Sequence, residues 1–234
     1  MKANTLQGCM ARPLHAPRVS INSLMDFINA SDCKKASIVR AQQKPRTIVV
    51  APYCTARAAI KKSVQENDIG CIMGAISRLQ QRVCDSQWKR NDTANSIMVL
   101  RKFISSTFPQ RLGKISCSFH KPTIKECYID GVAITVAPDL IMRWQYEGKN
   151  YIGAVKFRIS KSQFDYLTGS CAASLVQYYL RNAVAREDEI VDNSFCMFFD
   201  IISDRIFTAP FDDTTAMDTL HSTCSEYRQL WEAA

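Results

Sequence analysis

Residues 128–161 read YIDGVAITVAPDLIMRWQYEGKNYIGAVKFRISK, and the spacing of their apolar side chains decides the fold. Tyr128 to Val136 alternates and is rich in β-branched residues, the pattern of a half-buried strand. Leu140, Met142, Trp144 and Tyr146 share one face of an extended chain, and Tyr151 to Ile159 forms a further strand. Glu147, Gly148, Lys149 and Asn150 supply the hairpin turn between the last two. Pro138-Asp139 therefore opens a strand, and the returning strand carries Lys156 among Val155, Phe157 and Ile159. Such a lysine belongs either to the solvent face of an edge strand or to a site, and Pro138-Asp139 is either a turn or part of that site.

Upstream, Ile115, Cys117 and Phe119 alternate with polar residues, as in a strand. Downstream, a helix runs from Ser162 or Ser170 to Arg186, then a strongly apolar strand from Ser194 to Ser203. Asp204-Arg205 turns the chain into Ile206 to Ala209. A last helix, capped by Asp212 or Asp213, docks through Met217, Leu220, Cys224, Tyr227 and Trp231. Residues 113–234 thus form an α/β core.

Residues 19–112 are mainly helical and are expected to pack on that core, while residues 1–18 lack periodicity and read as a frayed tail. Ser20 caps a helix with Ile21, Leu24, Met25, Phe27 and Ile28 inside, and a basic continuation runs to Pro45. Thr47 to Val50 is a short β-branched run. Helical spacing resumes at Pro52 through Ala56, Ala59, Ile60 and Val64. It predicts further helices over 68–88 and 92–108, with Pro109 just beyond the second.

Apolar residues make up 47% of the 234 and charged residues 22%, which excludes fibrous and wholly disordered chains. Thirty Lys+Arg against 22 Asp+Glu give +8, so nucleic acid is the first partner to consider. No apolar run has the length of a membrane-spanning helix, and the first residues lack a secretory h-region, so a cytoplasmic protein with no membrane partner is expected. No two of the ten cysteines lie within four residues, unlike the close pairs of zinc ribbons, so reduced and mostly buried thiols are expected. His15, His120 and His221 match no ligand spacing, and Gly70 and Gly74 lie in a helical pattern without P-loop context.

On Pro138-Asp139 and Lys156 the chain resembles the PD-(D/E)XK nuclease superfamily, most closely between Tyr128 and Ala209. The opening SINSLMDFINASDCKK is similar to the first helix of its RecB-like exonucleases, and Gln177 and Tyr178 to residues on a later helix of that branch. The resemblance implies a three-layer restriction-endonuclease-like core with an N-terminal helical elaboration. It implies a magnesium or manganese ion on Asp139, Lys156 as the catalytic lysine, and Gln177 as a further site residue. In such a site carboxylates hold a hard cation that acidifies bound water, while the lysine orients the water or offsets developing charge. The branch's iron–sulfur cluster is not expected, because Cys33 could begin a ligand set but Cys196 and Cys224 stand alone.

One position departs from the pattern. Two residues before Lys156 the family carries an acid, and here stands Ala154. Alternation puts both on one face, so a methyl group points where the second carboxylate belongs. Substitutes to consider are Asp130, Glu126, Asp26 and Glu66, with Asp130 taken as the second metal ligand. For phosphate contacts the candidates are Lys34, Lys35, Arg40, Lys61, Lys62 and Lys161. Two functions follow from the resemblance. One is a DNA-engaging, metal-dependent phosphodiesterase of defence or mobile-element biology; the other is an inactive nuclease-fold subunit that binds nucleic acid or a protein partner within a larger complex.

Overall fold

The computed structural model describes residues 16–44, 52–112 and 116–234. The tail residues 1–15, the run Thr47–Val50, Arg46 and Ile115 lie outside them. In chain order the described elements begin with β1 (Arg18–Ser20), α1 (Ile21–Ile28), α2 (Asp32–Gln43), α3 (Cys54–Glu66), α4 (Gly70–Gln80), α5 (Gln87–Ile104) and α6 (Phe108–Leu112). Then come β2 (Ser118–His120), β3 (Glu126–Ile129), β4 (Val132–Thr135), β5 (Leu140–Tyr146), β6 (Lys149–Arg158), α7 (Tyr166–Tyr179), β7 (Glu189–Asp200), β8 (Arg205–Thr208) and α8 (Thr214–Glu232). Among the described residues no helix is long and apolar enough to cross a membrane.

The larger sheet has the order β2-β5-β6-β7-β8. β5 and β6 form the expected hairpin, turned through Glu147 and Gly148, both at positive φ; such a two-residue turn matches the right-handed twist of its strands. β6 then runs parallel to β7, which requires a crossover, and α7 supplies it. Helices cover both faces. Ile152 and Ala154 of β6 pack toward α7, α1 and α8, whereas Val155 and Phe157 point into the layer of α3, α4 and α5. At Gly153 strands β6 and β7 come so close that a Cβ would stand 2.8 Å from the Phe195 carbonyl oxygen, and the register shifts there.

Four expectations change. Tyr128 to Val136 is not one strand of this sheet: Asp130 and Gly131, at φ 48° and 81°, fold it into the β3–β4 hairpin. That hairpin belongs to a separate three-stranded sheet in which β1 runs parallel to β4. Alternation continued on either side of an Asp-Gly turn and hid it. The tail does not reach residue 18, since Arg18 pairs with Ala133 in β1. The helix expected over 68–88 ends at Gln80, where Val83 is exposed and Ser86 caps α5 by accepting from the Lys89 N–H at 3.3 Å. The helix expected over 92–108 is this α5, which stops at Ile104, and Pro109 lies inside α6.

The thiols of Cys127, Cys171, Cys196 and Cys224 are buried. Burial pushes Cys127 and Cys224 up to about 12 and Cys171 up to about 11, and raises Cys196 as well. A folded-state pKa above the ordinary 9.0 means that the unfolded chain loses these protons first, so the stability they contribute is complete below pH 9 and lost as pH rises toward the folded values. Thermal melts under reducing conditions are expected to show Tm falling from about pH 9 upward, and Cys196→Ala is expected to flatten that fall.

Candidate functional site

β6 outruns its neighbour. The last cross-strand pair is Leu140 with Val155, closed by the Asp139 N–H to the Val155 carbonyl at 2.9 Å, yet β6 continues to Arg158. The N–H and C=O of Phe157 on that side thus lack a strand partner, and a buried backbone group left unpaired is costly. Two side chains complete the ladder. Asp139 Oδ2 accepts from the Phe157 N–H at 2.9 Å, and Arg57 Nη1, reaching from α3, donates to the Phe157 carbonyl at 3.1 Å. The same Arg57 nitrogen lies 2.8 and 2.7 Å from the two Asp139 oxygens. Asp139 is 5% exposed, while the Arg57 side chain is 30% exposed.

Lys156 stands beside this pair, as the hairpin register requires. Its Nζ donates to the carbonyl of Ala137 at 2.8 Å, in a turn where Ala137 takes a left-handed φ of 39°. Burial lowers the Lys156 pKa, the Asp139 carboxylate opposes that, and the nearby cations Arg57 and Lys61 reinforce it. Asp139 and Lys156 are therefore brought together, and Lys61 is near enough to bear on the Lys156 charge. Arg57 joins them unannounced by the sequence; its one trace was the Arg57/Lys61 spacing of one helical turn.

The other expected residues lie elsewhere. Gln177 is buried in α7, bonded to Asn193; the amide orientation that satisfies both its ends donates to Asp213 at 3.0 Å and accepts from Arg181 at 2.9 Å. Gln177 ties α7 to β7 and to the start of α8, and the hydrogen bonds it makes there go to none of Asp139, Lys156 or Arg57. Asp130 is in the β3–β4 turn of the other sheet, where its carboxylate meets His221 Nδ1 at 2.9 Å. Glu126 accepts from Thr135, Asp26 approaches Arg158, and Glu66 approaches Cys71 and Lys62.

Among the described residues the one group of three or more metal-capable side chains is Glu66, Asp68 and Cys71, and Asp139 is not in it. Ala154 is fully buried. No protein-family model matches the chain, and no curated protein matches it.

The residues present do not fit a divalent cation at Asp139. Magnesium is held through carboxylate charge and tolerates little departure from octahedral geometry; here the Asp139 charge is already neutralised by a guanidinium nitrogen 2.8 and 2.7 Å from its two oxygens, whose positive charge repels a second cation, and one oxygen also accepts a backbone N–H. Of the basic candidates, Lys35 is held by Glu226 at 2.8 Å over the Phe27 ring, and Lys62 approaches Glu66 at 3.8 Å. Lys34, Arg40 and Lys161 are exposed.

Proposed function

We propose that this protein is a catalytically silent relative of the PD-(D/E)XK nucleases that binds DNA without cutting it. The order of strands supports the fold: an antiparallel β2-β5-β6 run, a helical crossover, then parallel β7, with Asp139 opening the second strand and Lys156 on the third. One observation carries the loss of cleavage: Arg57 occupies both oxygens of the carboxylate to which the resemblance assigns the metal. A fixed guanidinium supplies positive charge but no bound water to ionise, so it cannot replace the nucleophile-generating role of a metal. Ala154 removes the second acid. The charge of +8 supports the polyanionic partner.

Incubated with supercoiled plasmid and magnesium or manganese, the protein is expected to give no nicking above buffer, with Asp139→Ala indistinguishable from wild type. Binding to labelled duplex is expected to weaken steeply between about 50 and 200 mM salt. Metal-dependent cleavage lost in Asp139→Ala would overturn the silent site. Absence of binding at about 50 mM salt would overturn the DNA partner.

A further inference from the structure

A cavity of about 570 Å³ lies where the α3–α4 turn, the end of α5, α6 and the edge strand β2 meet, and none of Asp139, Arg57 or Lys156 lines it. Asn67, at φ 49°, ends α3 and turns the chain toward α4, while α5 stops at Ile104 and the chain passes through α6 on its way to β2. The walls between these ends are apolar, with Val64, Ile72, Phe103, Ile104, Leu112 and Phe119 facing the space. Gln65, Asn67 and Asp68 bring polar groups from the α3–α4 turn. A mostly apolar hollow of this size with a few polar groups has the form of a small-molecule site, and it is too small to seat a helix. Its charge is unlike that of the chain. Against an overall +8, no Lys or Arg lines the cavity, and its charged group among the described residues is the Asp68 carboxylate. Asp68 Oδ1 accepts from the Gly70 N–H at 2.7 Å, which fixes the side chain, and a carboxylate keeps further lone pairs for a donor. Asp68 has no ion pair among the described residues, and the Glu66 carboxylate lies within 4.8 Å of it. Negative potential thus gathers at the polar end of an apolar hollow, which favours a cation and disfavours a phosphate or a fatty-acid carboxylate.

We propose that this cavity binds a small organic cation, an aliphatic or aromatic amine whose apolar body lies against Ile72, Phe103 and Phe119 and whose ammonium sits on Asp68. The site is separate from the DNA-binding reading above and does not depend on it. Burial of the apolar body supplies the affinity, since the walls it meets are side chains with no polar atoms to desolvate. The ammonium supplies the selectivity. Asp68 is exposed, so the charged head gains a charge-assisted hydrogen bond while keeping part of its hydration. Cys117, half-buried in the wall just before β2, loses access to solvent once the cavity is filled.

The test is isothermal titration calorimetry of the full chain with decylamine, decanol and decanoate, three probes of one apolar body and different heads, each kept below its micelle concentration. Decylamine is expected to bind several-fold more tightly than decanol, and decanoate most weakly. Asp68→Asn, which retains an oxygen for the Gly70 N–H, is expected to bring decylamine close to decanol and leave decanol unchanged. Ile104→Trp, which fills the cavity, is expected to weaken all three; should circular dichroism show it misfolded, Val64→Phe on the facing wall is read in its place. Location is checked by alkylation with N-ethylmaleimide and peptide mass spectrometry. Bound decylamine is expected to slow the reaction of Cys117 several-fold and to leave that of exposed Cys33 unchanged. Decanol binding as tightly as decylamine would overturn the cation in favour of a neutral apolar ligand, and decanoate binding most tightly would overturn it in favour of an anion. Unaltered selectivity in Asp68→Asn, or unslowed Cys117, would place the binding elsewhere and overturn the site, as would the absence of binding by all three.

Discussion

Arg57→Leu is expected to destabilise the fold by about 3 kcal/mol, the lower part of the range for breaking a buried pair. The lower part applies because the Arg57 end is 30% exposed while Asp139 is 5% exposed. The substitution leaves the carboxylate without its counter-charge and strips the Phe157 carbonyl of its donor. For a chain of this length that corresponds to a Tm lower by roughly 6–12 °C. Adding Asp139→Asn to Arg57→Leu is expected to recover part of the loss, because a neutral amide is less costly to bury than an unpaired carboxylate, and its oxygen can still accept from the Phe157 N–H. Urea unfolding of the two single variants and the double variant measures the coupling. Magnesium is expected to leave the wild-type Tm unchanged; a ligand bound by the folded state alone would raise it in proportion to the logarithm of its concentration. A magnesium-dependent rise in the wild type, or an Arg57→Leu protein as stable as wild type, would mean that Asp139 does not depend on Arg57.

Local signals were legible and long-range partners were not. The β5–β6 hairpin followed from Gly148 between two alternating runs, and Ser20 was readable as a cap, its hydroxyl oxygen accepting from the Ser23 N–H at 3.2 Å. The stripe of α8 was readable too: Leu220, Cys224 and Tyr227 are buried. The Asp139–Lys156 juxtaposition followed from the hairpin register, a property of adjacent strands. Arg57 lies 82 residues from Asp139, and no helical or strand period relates positions so far apart. On its own helix Arg57 sits between buried Ala56 and Ala59, so amphipathicity offered only a residue at the rim of the apolar face. The partners of Gln177 were out of reach for a related reason. A buried polar side chain must be satisfied somewhere, and here its partners Asn193, Arg181 and Asp213 satisfy it within the packing of α7, β7 and α8. Sequence shows that such a residue is costly to leave unpaired; only the fold shows whether its partner is a ligand or a neighbour.

Ala154→Glu exposes the same gap between face and depth, and it is expected to be the most damaging single change considered. Alternation correctly puts Ala154 on the face of Lys156, and by that logic a glutamate there would complete an acid pair with Asp139. Depth decides otherwise. Ala154 is fully buried between Ile141 of β5 and Cys196 of β7 and beneath α7, while Lys156, two residues on, reaches the rim of the same layer. Four added heavy atoms beyond the methyl overpack the site by about 1–3 kcal/mol, and a carboxylate in an apolar layer adds several kcal/mol or is forced to hold its proton. The sum approaches the whole stability of an ordinary domain, about 5–15 kcal/mol. Ala154→Glu is thus expected to be largely unfolded or insoluble, and Ala154→Gln, which overpacks the site similarly without the charge, less severely damaged; the difference in their unfolding free energies reports the desolvation of the carboxylate. Solubility and chemical denaturation distinguish the two, and a plasmid-nicking assay closes the question. A folded Ala154→Glu protein that nicks DNA with magnesium would show that this position opens onto a metal site after all, and that Arg57 yields Asp139 to a cation when a second acid is supplied.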